Sequence, residues 1–323
     1  MYLTRRCPRH CHYCNIRDAT NVGPELTIPQ WKDAFKVLKE LKVEFNLILG
    51  NEPWLLGEYL VDLLKDGIPY ALYSSASIPL FGRYAKALFE NGINNLSTGV
   101  DYPKGYFSTS FQDDSLKKSE DAWDKIRWVR EFYPKAQVHA TITVHKLNYL
   151  YLPRIVNELT EVGAFSNINF IHWNKDGKYD FFPDEKELKG LLFEKEDHYK
   201  LRTVLNEVLQ NPGLLQNPQM LEMDTSMLVD MGWHCKGDPY GGPTIDADGR
   251  LRVCGYRKGH YTSFMNIFDL PEHEDHWEEA VYQDAMECPG CSWSCPWMFR
   301  YWKDNDPEMG AKVFTEHAIK GKK

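Results

Sequence analysis

The residues of this chain best suited to chemistry are its eight cysteines, and their placement is uneven. Cys7, Cys11 and Cys14 crowd the start, Cys235, Cys254, Cys288, Cys291 and Cys295 occupy the last third, and no cysteine falls between Cys14 and Cys235. Clustered thiols in a reducing compartment read as metal ligands or redox centres rather than disulfides. Cys7-Pro-Arg-His-Cys11-His-Tyr-Cys14 has the spacing C-x3-C-x2-C. Three thiolates on so tight a loop hold three corners of an iron–sulfur cubane and leave one iron open to a small chelating molecule. A structural zinc site wants four closed ligands, and His10 or His12 would then supply the fourth. Further on, the run from Pro243 to Cys254 reads as a β-hairpin turning at Asp248-Gly249, and Cys288-Pro-Gly-Cys291 forms a knuckle with Cys295 close behind. Four thiolates of that kind suit an iron–sulfur cluster or a zinc ribbon equally well by geometry.

The elements that must carry these loops alternate. Met1 to Thr4 reads as a short strand entering the first cysteine loop. Thr27-Ile-Pro-Gln30 has a capping-box spacing with proline in the first turn, and Trp31, Phe35, Leu38 and Leu41 then recur at helical spacing. Strands are expected at 44–49, 70–74, 95–99, 137–144 and 167–171. Between them, helices are expected at 55–65, 80–90, 119–132 and 152–162, closed by Gly67, Gly92, Pro134 and Gly163 respectively. Six strands alternating with helices imply parallel βαβ units with functional groups at the strands' carboxyl ends. The charged stretch from Asp184 to Gln216 reads as solvated bridging helices, which divides the chain into residues 1–183, 184–232 and 233–323. Lys117 and Lys118, just ahead of the helix expected at Ser119, read as solvated.

The cysteine loop, with aromatic Tyr13 just before its third cysteine, resembles the signature of the radical S-adenosylmethionine enzymes. The resemblance implies a partial (β/α)6 TIM-like barrel and a [4Fe–4S] cluster on Cys7, Cys11 and Cys14. The open iron would be chelated by the amine and carboxylate of S-adenosylmethionine. Reduction by a flavodoxin- or ferredoxin-type donor would then yield a 5′-deoxyadenosyl radical that abstracts hydrogen from substrate. Gly50-Asn51-Glu52-Pro53 looks like the family's Gly-Gly-Glu-Pro stretch, which receives the methionyl ammonium, with Asn51 in place of the second glycine. A carboxylate at a strand end facing a ligand cation is a sound charge-assisted partner. Asp101, in Gly99-Val-Asp-Tyr, resembles part of a further cofactor segment, and Asn148 stands where the family often places a polar contact. Tyr13 is expected near the adenine. Cys235, Cys254, Cys288 and Cys291 resemble the ligand order of a SPASM or shorter twitch extension carrying one auxiliary [4Fe–4S] cluster, with Cys295 left as a replacement ligand or a nearby thiol. A shell of aromatic residues around these motifs, Trp293 and Trp297 among them, would tune cluster potential, although ordinary core packing accounts for most of the aromatics.

Composition narrows the partners. Hydrophobic residues make up 43% and charged residues 26%, ordinary for a folded protein. The formal charge of 38 − 46 = −8 lacks the basic field that nucleic-acid binding needs. No apolar run approaches the ~18 residues of a membrane span, and nothing behind Met1 to Arg6 resembles a signal peptide, so a cytoplasmic location is expected. With six residues ahead of Cys7, a peptide-recognition domain is expected to be absent or separately encoded, which favours a small polar substrate over a peptide. A peptide maturase is the alternative. Tyr256 and Arg257 follow Cys254 where some relatives carry an acidic base, and this argues against oxidation of a peptide serine or cysteine. His172 and Trp173, ending the last strand, face the expected barrel mouth. His139, His145 and His172 read as structural, hydrogen-bonded histidines before they read as substrate contacts. A zinc-stabilised binding protein without catalysis would have to treat the strand–helix alternation and Glu52 as coincidence.

Overall fold

The computed structural model describes residues 1–15, 23–43, 46–48, 51–65, 70–74, 81–91, 93, 95–106, 114–216, 218–234, 244–255, 257 and 265–292. Gly50, Gly67, Gly92, Cys235, Tyr256, Trp293, Cys295 and Trp297 lie outside them.

Helix α1, Ile28–Glu40, begins as its sequence dictates. The Thr27 hydroxyl accepts from the Gln30 amide, the Gln30 side chain accepts from the Thr27 amide at 2.9 Å, and a proline occupies the first turn. Trp31, Ala34, Phe35 and Leu38 form its buried face, and a large side chain such as Phe35 or Leu38 stabilises the fold by about 1.5–3 kcal/mol. Five parallel strands follow in spatial order β1 (Asn46–Ile48), β2 (Tyr70–Ser74), β3 (Asn95–Gly99), β4 (Gln137–Val144) and β5 (Phe165–Phe170). Between them run α2 (Glu58–Lys65), α3 (Phe81–Glu90), α4 (Asp114–Phe132) and α5 (Leu152–Glu161). The α/β architecture of a partial barrel is therefore present. Along β4, Val138, Ala140, Ile142 and Val144 are buried in the apolar layer, while His139, Thr141 and Thr143 alternate onto the other face. Asn167 and Asn169 of β5 are also buried, and Thr141 Oγ1 donates to Asn167 Oδ1 at 2.8 Å.

Three expectations about elements need correcting. Met1–Thr4 makes no strand of the sheet; Tyr2 N instead donates to the Ile245 carbonyl at 2.8 Å, so this segment pairs with the C-terminal hairpin. The helix expected over 55–65 is interrupted at Gly57, whose φ of 59° ends a 3-10 turn (Pro53–Leu56) before α2 starts. Helix α4 begins at Asp114 rather than Ser119, so Lys117 and Lys118 lie inside it. Beyond β5 the sheet edge is met by residues 213–216: Ser166 N donates to Gly213 O at 2.9 Å and Leu215 N to Ser166 O at 2.8 Å, a parallel bridge.

The bridging region holds α6 (Lys195–Val208), α7 (Pro218–Glu222) and α8 (Thr225–Val229). The hairpin expected before Cys254 is present as β6 (Thr244–Ile245) and β7 (Leu251–Arg252), turning at Gly249 with φ of 84°. Helix α9, Glu274–Met286, leads to the knuckle. The hairpin docks through buried charge. Arg5 Nε donates to Asp246 Oδ1 at 2.5 Å, Arg252 Nη2 meets Asp246 Oδ2 at 2.8 Å, and Arg252 Nη1 pairs with Asp180. The Arg5 guanidinium lies over the rings of Tyr2 and Phe181, at 4.2 and 4.1 Å. Burial by itself raises the Asp246 carboxyl's pKa, and the hydrogen bond and charge of Arg5 outweigh it, leaving it below the usual carboxylate range. Among the described residues no helix is long and apolar enough to cross a membrane.

Removing one partner from a buried ionic cluster strands the others. Asp246→Ala is expected to cost about 3–5 kcal/mol in urea unfolding. A double variant Arg5→Met/Asp246→Leu should cost clearly less than the sum of its single changes.

Candidate functional site

The first cysteine loop sits at the carboxyl ends of the strands. Cys14 N donates to Cys11 O at 3.0 Å, closing a turn across the second and third cysteines. All three cysteines are half-buried. Burial pushes the Cys7 thiol's pKa up, the nearby Arg9 amide opposes it, and Glu52 adds to the rise. The loop is braced from below: Asn15 N donates to Phe181 O at 2.9 Å, Glu52 N to Arg6 O at 3.1 Å, and the Asn51 amide to Arg5 O.

Beneath the loop lies a buried polar cluster. Asp101, fully buried, accepts from Thr143 N at 2.9 Å through Oδ1, and through Oδ2 from Lys118 Nζ at 2.6 Å and from the Tyr13 hydroxyl. Lys118 also donates to the Tyr13 oxygen at 2.5 Å. Burial works to lower the Lys118 ammonium's pKa, and the Asp101 carboxylate and Cys11 thiol outweigh it, leaving it above the ordinary lysine value. Tyr73 of β2 joins this group: burial pushes its hydroxyl up to about 12, moderated by Lys118. Gly99 makes room, because a Cβ there would stand 2.9 Å from Lys118 Nζ and 3.0 Å from the Tyr73 hydroxyl. Asn148 is spent within the fold: its Nδ2 donates to Asp101 O and Thr143 O at 2.9 and 2.8 Å, and its Oδ1 accepts from His145 N at 2.9 Å. It ties the end of β3 to the end of β4. The Tyr13 ring lies 6.3 Å from that of His145.

Glu52 is fully buried at the start of the 3-10 turn, where its Oε1 accepts from Ser74 Oγ at 2.7 Å and from Trp54 N at 3.4 Å. Beside it, Asn51 Oδ1 is buried and receives no hydrogen bond. A ligand ammonium would supply the donor that this oxygen lacks, next to a carboxylate of matching charge. The residues present therefore fit the amino end of S-adenosylmethionine, and the three thiols fit a cluster by their donor chemistry. Among the described residues, no three Cys, His, Asp or Glu side chains stand in metal-holding geometry. The structure thus groups Cys7, Cys11, Tyr13, Cys14, Asn51, Glu52, Asp101 and Asn148 at one end of the barrel.

The reading of Lys118 as solvated is overturned: it is 7% exposed. Ser115, Lys118, Ser119, Ala122 and Ile126 share the buried face of α4 at helical spacing, a pattern hidden by starting the helix at Ser119. Tyr73 gave no signal in its own strand.

The second cysteine group gathers around Tyr179, whose pKa is raised by burial and then by the thiols of Cys291, Cys288 and Cys254. Its hydroxyl donates to Gly290 O inside the Cys288–Cys291 turn. Cys291 N donates to Trp233 O at 2.8 Å, and His234 Nδ1 lies 2.9 Å from Cys288 O. His172 is structural, as expected: Ser292 N donates to its Nε2 at 2.9 Å, so its Nδ1 carries the proton and donates to Phe170 O at 2.6 Å.

Two expectations follow. Asp101→Asn leaves Lys118 buried against a neutral group and should cost about 3–5 kcal/mol in chemical denaturation, whereas Tyr13→Phe removes one hydrogen bond and should cost about 1 kcal/mol. For His172, burial lowers the pKa from 6.5 to about 3. Between those values the unfolded chain binds the proton and the folded chain does not, so stability falls as pH drops through that window, by about 1.4 kcal/mol per unit for this proton. Comparing unfolding free energies against pH for the native chain and His172→Gln should show that component of the slope vanish.

The profile of the Radical SAM superfamily matches residues 1–159. No curated protein sequence matches the chain. Among solved structures, "Native anSMEcpe with bound AdoMet" superposes with a TM-score of 0.59 at 16% identity, over 96% of this chain and 98% of that one. The same protein "with bound AdoMet and Cp18Cys peptide" gives 0.56 at 15%, over 96% and 97%. SuiB of Streptococcus suis gives 0.54 at 14%, over 88% of this chain and 65% of that one. The fold is shared along nearly the whole length, and residues 1–159, just under half of the chain, match the profile of the radical S-adenosylmethionine superfamily, whose members are enzymes.

Proposed function

We propose that this enzyme abstracts hydrogen from a polar substrate, with a [4Fe–4S] cluster held by Cys7, Cys11 and Cys14 and one auxiliary cluster held by Cys254, Cys288 and Cys291 together with Cys235 or Cys295. When bound, the first cluster and S-adenosylmethionine supply one-electron cleavage of the sulfonium and a carbon radical able to take hydrogen. The chain's own residues do the rest. Glu52 and the Asn51 carbonyl receive the ammonium. Lys118, held by Asp101 and Tyr13, puts a fixed positive charge beside Cys11 and Cys7. Asn148 keeps the ends of β3 and β4 in register under the cofactor. The single observation that carries this reading is the unpartnered, buried Asn51 Oδ1 next to Glu52, at the strand end facing the cysteine loop.

Polar residues on the inner face of β4 and β5, His139, Thr141, Thr143, Asn167 and Asn169, support a polar substrate. Within that class, a small metabolite is the first reading. A peptide is the second, and it is favoured by the fold likeness, reaching into the C-terminal third, to a protein solved with a bound peptide. An external flavodoxin- or ferredoxin-type protein would deliver the electron. A division into a barrel (1–183), bridging helices (184–232) and a cysteine-rich extension (233–323) accords with the hairpin's docking through Asp246.

Anaerobically reconstituted protein should contain iron and sulfide and release 5′-deoxyadenosine from S-adenosylmethionine on reduction with dithionite. Cys11→Ala should abolish that release, and Cys291→Ala should spare it more than it spares turnover of substrate. Colourless protein carrying zinc, or intact cluster without 5′-deoxyadenosine, would refute the reading.

A further inference from the structure

Among the described residues, Arg257 is a buried guanidinium short of a close counter-ion. Its side chain is 6% exposed, its Nε makes no hydrogen bond, and its ionic contact among the described residues is Glu287 Oε2 at 3.9 Å, on a side chain that is 47% exposed. Taking a charge out of water is costly unless an anion faces it, and a long contact to a solvated carboxylate compensates little. The contrast with Arg252 is direct: that guanidinium, 7% exposed, has two carboxylates at 7% and 0%.

The surroundings say which anion is missing. Arg257 stands three positions after Cys254. Its backbone bridges to Tyr179, whose hydroxyl reaches Gly290 O within the Cys288–Cys291 turn. Glu287, at the far end of its long contact, directly precedes Cys288. Arg257 is thus linked, through Tyr179 and Glu287, to the segments that carry the three thiols. Burial first, then those thiols, raise the Tyr179 pKa while Arg257 lowers it, so the thiols and Arg257 act on the same hydroxyl. Neutral thiols offer Arg257 no counter-charge. Thiolates around an iron–sulfur core do, since such a group carries net negative charge and gains more on reduction.

We propose that Arg257 is the charge-compensating residue of an iron–sulfur group on Cys254, Cys288 and Cys291, and that it raises that group's reduction potential; this rests on the auxiliary-cluster reading above. No bond is made or broken. Reduction adds one electron to the group, and a fixed positive charge stabilises the reduced form more than the oxidised one.

The test uses the full chain with Cys7, Cys11 and Cys14 changed to alanine, reconstituted anaerobically with ferrous iron and sulfide, so that only the second thiol group is loaded. Redox titration followed by electron paramagnetic resonance gives the midpoint potential, and release to a ferrous chelator gives retention. Arg257→Gln is expected to shift the reduction equilibrium about tenfold towards the oxidised form, a fall of about 59 mV for one electron, and to release iron faster. Arg257→Lys should recover most of both. Glu287→Gln, which removes the competing carboxylate, should move the potential upward and serves where Arg257→Gln does not fold. Unchanged potential and retention in Arg257→Gln, or in Glu287→Gln where that variant stands in for it, overturns the inference while leaving the auxiliary cluster standing. A parent chain that holds no iron overturns both.

Discussion

Asp101 places a carboxylate where no water reaches it, and a group in such a position persists only if donors and a cation enclose it. Its three partners come from three different stretches of chain: Thr143 from β4, Lys118 from α4 and Tyr13 from the cysteine loop. Satisfying one carboxylate therefore fixes the loop to the end of the barrel and brings the helix up against both. Asn148 repeats the device with neutral groups, drawing the Asp101 and Thr143 carbonyls onto one amide. Gly99 belongs to the same constraint, since any side chain there would occupy the space of Lys118 Nζ and the Tyr73 hydroxyl.

A second buried ionic group does for the whole chain what Asp101 does for the loop. Arg5 stands two residues before Cys7, and Asp246 and Arg252 belong to the hairpin that leads to Cys254. Asp180 completes the chain of charges from the strap between them. That strap faces both cysteine groups at once. Phe181 O accepts from Asn15 N just after Cys14, and the Tyr179 hydroxyl donates to Gly290 O between Cys288 and Cys291. Residues far apart in sequence are thereby linked to alternate positions, Tyr179 and Phe181, of one short segment.

Much of this was legible in the residue order because the signals were local. Three of the five sheet strands, β2, β3 and β4, have the bounds expected for them, since runs such as Gln137–Val144 carry both the β-branched content and the alternation that a covered strand requires. The capping box at Thr27 and Gln30 formed as its spacing demanded. What escaped was long-range. Tyr2 has a strand-like neighbourhood, yet its backbone partner is Ile245, two hundred and more positions away, and nothing near Tyr2 announces it. Lys118 looks solvated beside Lys117 and becomes a buried cation only through Asp101 on another element. Gly57 shows the opposite failure: it was visible in the sequence, but a glycine inside an apolar run does not declare whether it will stay helical or turn to positive φ.

Each cysteine group, finally, comes with a buried cation, in a chain whose net charge is negative, and the two are balanced differently. Lys118 has Asp101 at 2.6 Å, so its charge is answered within the protein whatever binds the first three thiols. That suits a loop that exchanges ligands, because the pocket keeps its shape and charge when the cofactor leaves. Among the described residues, the ionic contact of Arg257 is Glu287 at 3.9 Å, on a half-exposed side chain. A cation left in that condition favours a permanent anion over one that comes and goes, since each loss would uncover it again. The knuckle fits a permanent occupant too: Trp233, His234, His172 and Tyr179 hold its backbone from four directions, leaving the turn little freedom to open. On the proposed reading, the first group would exchange its ligand at a fixed charge, and the second would retain one at a charge that the described residues leave incomplete.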